Sequence, residues 1–193
     1  VYPLSFVASA RLDALALRRS EDSFVDELFA AAPEHGAPLL AASFPRVFCD
    51  VNREPWELDP GMFEGPLPSW VNTSGEPVYR HKLSFAEAED RIRRHWQPYH
   101  AALAALIAET RAEFGCCLLI DCHSMPTHPA QAANPPDFVL GDAHGTACAP
   151  RATRLAEAAL QELGYRVRRN DPYAGGYVTR HYGHPTTGRE AVQ

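Results

Sequence analysis

At 193 residues, 46% of them hydrophobic, the chain can bury one sizeable core and is too apolar for disorder. A formal charge of -6, with Lys82 the only lysine and no dense Arg run, excludes a nucleic-acid surface, which needs concentrated basic charge. No apolar run approaches the roughly 20 residues that span a bilayer, which excludes a membrane partner, and cysteines at 49, 116, 117, 122 and 148 lack paired spacing and read as thiols of a reducing, cytoplasmic compartment.

Taken in order, the chain opens abruptly on Val1-Tyr2-Pro3 and closes on Ala191-Val192-Gln193, so a single domain over 1–193 with both ends cut is expected. Residues 5–17 predict a short helix or helical turn. Val25, Leu28 and Phe29 then have the spacing of a helix with a buried face, which places Ser20, Glu21 and Asp22 near its exposed amides as candidate caps. Pro33 and Gly36 close it.

Residues 39–43 and 45–53 predict strand. Val47, Cys49 and Val51 would share one face, and Arg46, Phe48, Asp50 and Asn52 the other, where an Arg, an Asp and an Asn could converge. The Pro- and Gly-rich stretch 54–80 defeats helix and strand alike and reads as a long loop, either a binding loop or an ordered excursion, pinned by Trp56, Phe63, Trp70 and Tyr79.

Ser84 with Glu87 is a capping-box signature that opens a helix to Phe114, kinked or divided by Pro98. Ile92, Trp96, Tyr99, Leu103, Leu106 and Ile107 form its apolar stripe; Arg91, Arg93, Arg94, Glu109 and Arg111 are expected in water, and His95 and His100 as packing or surface residues. Gly115 then feeds an unbroken apolar run, 116–120, with the form of a strand covered on both faces. At its exit Asp121 and His123 share a face. Ligands gather at such strand ends in α/β sheets, so His123 is a candidate metal ligand; a loop-capping His is the other reading.

After a loop with His128 and Asn134 comes a strand over 138–140, and Asp142 and His144 read as turn residues. Residues 150–163 predict a helix with Leu155, Ala159, Leu160 and Leu163 inward; 165–169 alternates as a half-exposed strand, and 175–183 reads as a glycine-rich turn into another strand, with Arg180 and His181 on opposite faces.

Asp22, Pro45-Arg46 with Asn52-Arg53, Asp121-Cys122-His123-Ser124, Asp137-Phe138 with Gly145, and Thr179-Arg180-His181-Tyr182-Gly183 with Ala191-Val192-Gln193 together resemble the N-formylglutamate amidohydrolase family, in order and over nearly the whole chain. That family is distantly similar to the zinc carboxypeptidases and aspartoacylases. The resemblance implies an α/β fold, a mixed and largely parallel sheet with helices on both faces, zinc-carboxypeptidase-like (phosphorylase/hydrolase-like). It also implies a single zinc-dependent hydrolase domain acting on a small anionic N-acyl amino acid, N-formyl-L-glutamate, to give formate and glutamate.

Carried over by residue, the resemblance makes His123 and Asp22 zinc ligands, with Glu21 in reserve. A third ligand would come from a Pro-His-Ser-Gly segment ahead of Tyr2, and a general base from a Glu beyond Gln193. Asn52 and Arg53 would grip the α-carboxylate, Arg46 would stabilise the oxyanion, Arg180 would hold the side-chain carboxylate, and Asp50 and Asp121 would orient their neighbours. A deacylase for another N-acyl amino acid, or a metal-free anion-binding module, would use the same residues.

Overall fold

A computed structural model describes residues 2–56, 78–80, 83–125 and 135–193. The chain divides into two compact units, 1–104 and 105–193. The expected loop over 54–80, with Phe63 and Trp70, lies largely outside the described residues, as do His128 and Asn134.

The first unit is helical. Helices α1 (Leu4–Ser9) and α2 (Ala14–Arg18) begin it, the second capped by Asp13, whose side chain accepts the Ala16 amide at 2.8 Å. Helix α3 (Val25–Leu28) is a single turn, so the expected apolar face does not develop: Val25 is buried, but Leu28 and Phe29 are 77% and 39% exposed. Residues 39–45 are irregular, and 46–53 is built on turns rather than strand, the Phe48 and Cys49 amides both donating to the Pro45 carbonyl. Val47, Phe48 and Cys49 are consequently all buried, and the alternation expected of them is absent. They join Phe6, Leu17, Val78 and Tyr79 in the core of this unit.

The capping box stands as expected: the Ser84 hydroxyl accepts the Glu87 amide while the Glu87 carboxylate accepts the Ser84 amide. It starts α4 (Phe85–Arg91). A π-helical turn (Ile92–Trp96) divides α4 from α5 (Gln97–Phe114) directly ahead of Pro98. Proline has no amide to donate and its ring collides with the preceding turn, and the wider turn relieves both. Of the expected stripe, Ile92, Leu103 and Ile107 are buried. Arg91 corrects the prediction that it faces water, being only 8% exposed.

The second unit is α/β. Strand β1 (Cys117–Ile120) pairs in parallel with β4 (Arg189–Val192), and β2 (Phe138–Leu140) pairs in parallel with β3 (Val167–Arg169) through the crossover helix α6 (Pro150–Glu162). Reciprocal bonds between Gly141 and Gln193 join the two pairs where β2 and β4 end. Small parallel pairs with a helical crossover agree with the α/β class that was expected, while the described strands form two two-stranded pairs rather than one mixed sheet. Within this unit β1 is not covered on both faces: Cys117 is buried while Leu118 and Ile120 are 49% and 59% exposed, the period-two pattern of a strand with one covered face.

Helix α6 is rotated from the expected orientation. Leu160 packs on the core as expected, but Leu155 and Leu163 are each 73% exposed, Ala159 is exposed as well, and Ala152, Thr153 and Ala156 face the core in their place. Two polar contacts set that rotation: the Thr153 hydroxyl donates to Asp142 at 3.0 Å, and Glu157 pairs with Arg169. At the start of α6 the Ala149 amide donates to Glu190 of β4. Residues 177–182, predicted as strand, form helix α7 (Tyr177–Tyr182). Its β-branched and aromatic residues mimic a strand pattern, but Thr179 packs so closely on Gly175 that a Cβ there would lie 2.8 Å from its methyl. No helix among the described residues is long and apolar enough to cross a membrane, and the five cysteines form no disulfide.

Candidate functional site

In the first unit the chemistry gathers on the turn at 45–53. Asp50 is 4% exposed, and its Oδ2 accepts both Arg46 Nε at 3.3 Å and Arg46 Nη2 at 2.9 Å. The same oxygen lies 3.8 Å from Arg53 Nε, while Oδ1 accepts the Asn52 amide at 3.0 Å. One buried carboxylate therefore anchors two guanidinium groups, each of which keeps a solvent-facing side: the side chains of Arg46 and Arg53 are 38% and 47% exposed. The fork geometry of arginine allows a group anchored at one edge to present its other N–H donors to a second anion.

Arg46 Nη1 also reaches Asp22 Oδ2 at 3.5 Å, so the carboxylate expected to cap α3 turns to the 45–53 turn instead. Asp22, Arg46, Asp50, Asn52 and Arg53 are thus brought together. Convergence was expected from strand alternation; a turn closing Arg46 onto Asp50 four residues later produces it.

This turn is held by its carbonyls. Tyr79 donates its hydroxyl to Val47 O at 3.2 Å, and Arg91 Nη1 donates to Phe48 O at 3.0 Å and to the Tyr79 oxygen at 2.5 Å. Further along, His100 Nε2 donates to Val51 O at 2.9 Å and Trp96 Nε1 to Arg53 O at 3.0 Å. The Arg91 guanidinium also lies against the rings of Phe48, Tyr79 and Phe6, 4.4, 5.3 and 5.9 Å from their centroids. Sequence reasoning missed Arg91, although its position three after Ala88 and one before Ile92, both buried, placed it on the inner face of α4.

In the second unit the end of β1 carries the predicted pair. The Asp121 amide donates to Val192 O at 2.8 Å, which continues the β1–β4 ladder by one residue. Asp121 Oδ1 lies 3.0 Å from His123 Nε2, so the two residues do share a face. Between them the Cys122 thiol lies 3.8 Å from the Ile120 carbonyl and is pushed up to about 11 by burial first and by Asp121 second. Arg180, on α7, donates Nη1 to the Gly175 carbonyl at 2.6 Å, and the Gly176 amide donates to the Gln193 side chain.

Asp142 behaves as the turn residue it was read to be. It is buried and accepts the Gly145 amide, the Asn170 side chain and the Thr153 hydroxyl. Burial would raise its pKa, but these three bonds outweigh burial and hold it below the usual carboxylate range.

The donors assigned to zinc have suitable chemistry one by one. A carboxylate on one ring nitrogen, as Asp121 is on His123 Nε2, is the usual support of a metal-ligating histidine. Among the described residues no group of three or more His, Cys, Asp or Glu side chains is gathered for an ion.

The family model for N-formylglutamate amidohydrolase matches residues 1–193. The chain belongs to that family. An N-formylglutamate deformylase of Pseudomonas aeruginosa is 36% identical over 180 residues, covering 89% of this chain and 67% of its own length. Another from Pseudomonas putida is 34% identical over 179 residues, again covering 89% of this chain and 67% of its own length. The crystal structure of N-formylglutamate amidohydrolase from Ralstonia eutropha JMP134 superposes with a TM-score of 0.87 at 40% identity, covering 100% of this chain and 75% of that one. A gene product of Agrobacterium tumefaciens, at 22% identity and a TM-score of 0.65 over 94% of this chain and 70% of that one, shares the fold.

Proposed function

We propose that this family member is a zinc-dependent amidohydrolase that cleaves N-formyl-L-glutamate to formate and L-glutamate, on a fold related to that of the zinc carboxypeptidases. The observation that carries the reading is the pair of guanidinium groups anchored on the buried Asp50, in a chain whose named relatives are N-formylglutamate deformylases. A dianionic substrate needs such fixed cations with donors to spare.

Asn52 and Arg53 would grip the α-carboxylate, with Arg53 steadied by Asp50. Arg180, leaving the Gly175 carbonyl for a stronger anionic partner, would bind the side-chain carboxylate. Arg46 would donate toward the formyl oxygen as negative charge develops there, a contribution of about 3 kcal/mol in comparable sites. Asp121 would fix the ring of His123 so that Nδ1 serves as the ligand atom, with Asp22 the second ligand, and the ion would supply an acidified water near pH 7.

Formate release from N-formyl-L-glutamate by the zinc-loaded protein, together with zinc binding by calorimetry, tests this directly. His123→Ala should abolish turnover and weaken zinc binding by at least about tenfold. Undiminished turnover in that variant would overturn the assignment of His123.

A further inference from the structure

The turn that carries Arg46 and Arg53 is fixed from beneath at two places. Val47 O and Phe48 O, beside Arg46, are taken by Tyr79 and by Arg91. Val51 O and Arg53 O, at the other end, are taken by His100 and Trp96. Three of these four donors come from α4, the π-helical turn and the start of α5, where Arg91, Trp96 and His100 sit 5 and 4 residues apart. The wider turn ahead of Pro98 therefore sets the phase between Arg91 and the other two.

Packing alone does not account for these side chains. A cation at 8% exposure is costly to bury; its hydrogen bonds and ring contacts go to a carbonyl, a phenol and three ring faces, and the Glu87 carboxylate acts on it only through space. An apolar residue would fill the same volume at lower cost. What an apolar residue could not do is hold a backbone carbonyl in place.

We propose that Tyr79, Arg91, Trp96 and His100 are positioning residues that set the two ends of the turn separately: Tyr79 and Arg91 fix the height of Arg46, and His100 and Trp96 fix Arg53. The inference rests on the substrate roles proposed for those two arginines. Loss of a clamp at the Arg46 end then weakens the interaction with developing charge, and loss at the Arg53 end weakens ground-state binding of the α-carboxylate.

The test is steady-state kinetics of the zinc-loaded protein with N-formyl-L-glutamate and with its α-carboxamide analogue. Tyr79→Phe keeps the ring and removes the hydroxyl; it should lower kcat about fivefold with KM held within about twofold. His100→Phe should raise KM about fivefold with kcat held, and should narrow the preference for the α-carboxylate over the α-amide. His100→Gln, which restores an N–H donor, should recover most of both. A purely structural role would lower activity on both substrates alike, and equal losses in the two variants, or none, overturn the proposal.

If the wild-type protein does not release formate, the functional reading fails on its own, and calorimetric binding of L-glutamate decides the inference. His100→Phe must then weaken binding and Tyr79→Phe must not. Absence of glutamate binding by the wild type overturns it as well.

Discussion

Asp50 is the residue on which the cationic part of the site depends. Its carboxylate is nearly inaccessible, and its ion pairs hold one guanidinium firmly and a second more loosely. Asp50→Asn keeps the shape but removes the charge that offsets two cations. Because both arginines are partly in water, the stability loss should be modest, about 1–3 kcal/mol by urea denaturation. The loss in kcat/KM should exceed what that destabilisation explains, and full activity in the Asp50→Asn variant would remove Asp50 from the mechanism. At this scale the sequence was legible where chemistry is local. Asp121 and His123 meet because they are two apart at a strand end, and Asp142 serves a turn because Gly141 and Gly145 flank it. Arg91 was missed for a different reason: its place on the inner face of α4 was readable, but charge argued for solvent, and the aromatic groove that accepts it is assembled from residues as distant as Phe6, Phe48 and Tyr79.

Among the elements, α4 is the one whose start is written most plainly. Ser84 and Glu87 close a reciprocal cap, and the Glu87 carboxyl lies below its usual range chiefly because the Ser84 amide donates to it. Ser84→Ala should therefore destabilise the protein by about 1 kcal/mol, read as a lower melting temperature with substrate affinity unchanged. A shift in affinity would mean that the cap reaches the 45–53 turn through Arg91. Elements without such signals were read less well. The 45–53 segment alternates apolar and polar residues like a strand, yet side-chain donors satisfy its carbonyls one at a time, and a ladder is not needed. Helix α7 was misread because Val178 and Thr179 favour strands in isolation, while the close seat of Thr179 on Gly175 favours a helix. In α6 two of the leucines, Leu155 and Leu163, misled: two polar contacts, at Thr153 and Glu157, decide which side turns inward.

Over the whole molecule, acid sensitivity follows from carboxylates that the fold keeps ionised. Asp137 is held at about 2 by the Arg166 guanidinium first and the Arg166 amide second, and Asp142 is held low by its three donors against the effect of burial. Both groups lie below the unfolded reference near 4, so the stabilisation is complete above that pH and is lost as the pH falls through their folded-state values, which for Asp137 is about 2. From these two carboxylates the melting temperature should fall as the pH drops below about 4. Asp142→Asn should flatten that limb, and Asp137→Asn should change it less and only at low salt, because its ion pair is open to water. An unchanged acid limb in Asp142→Asn would assign the effect elsewhere. The α/β class and the family were both legible at this scale, since each depends on many residues in order rather than on one contact. The grip of Glu190 on the Ala149 amide, one residue ahead of α6, has its own consequence for assembly. Sliding β4 by a single position along β1 would turn that carboxylate to the opposite side of the sheet and leave the Ala149 amide without its acceptor. Correct alignment of β4 on β1 and this contact at the approach to α6 therefore go together.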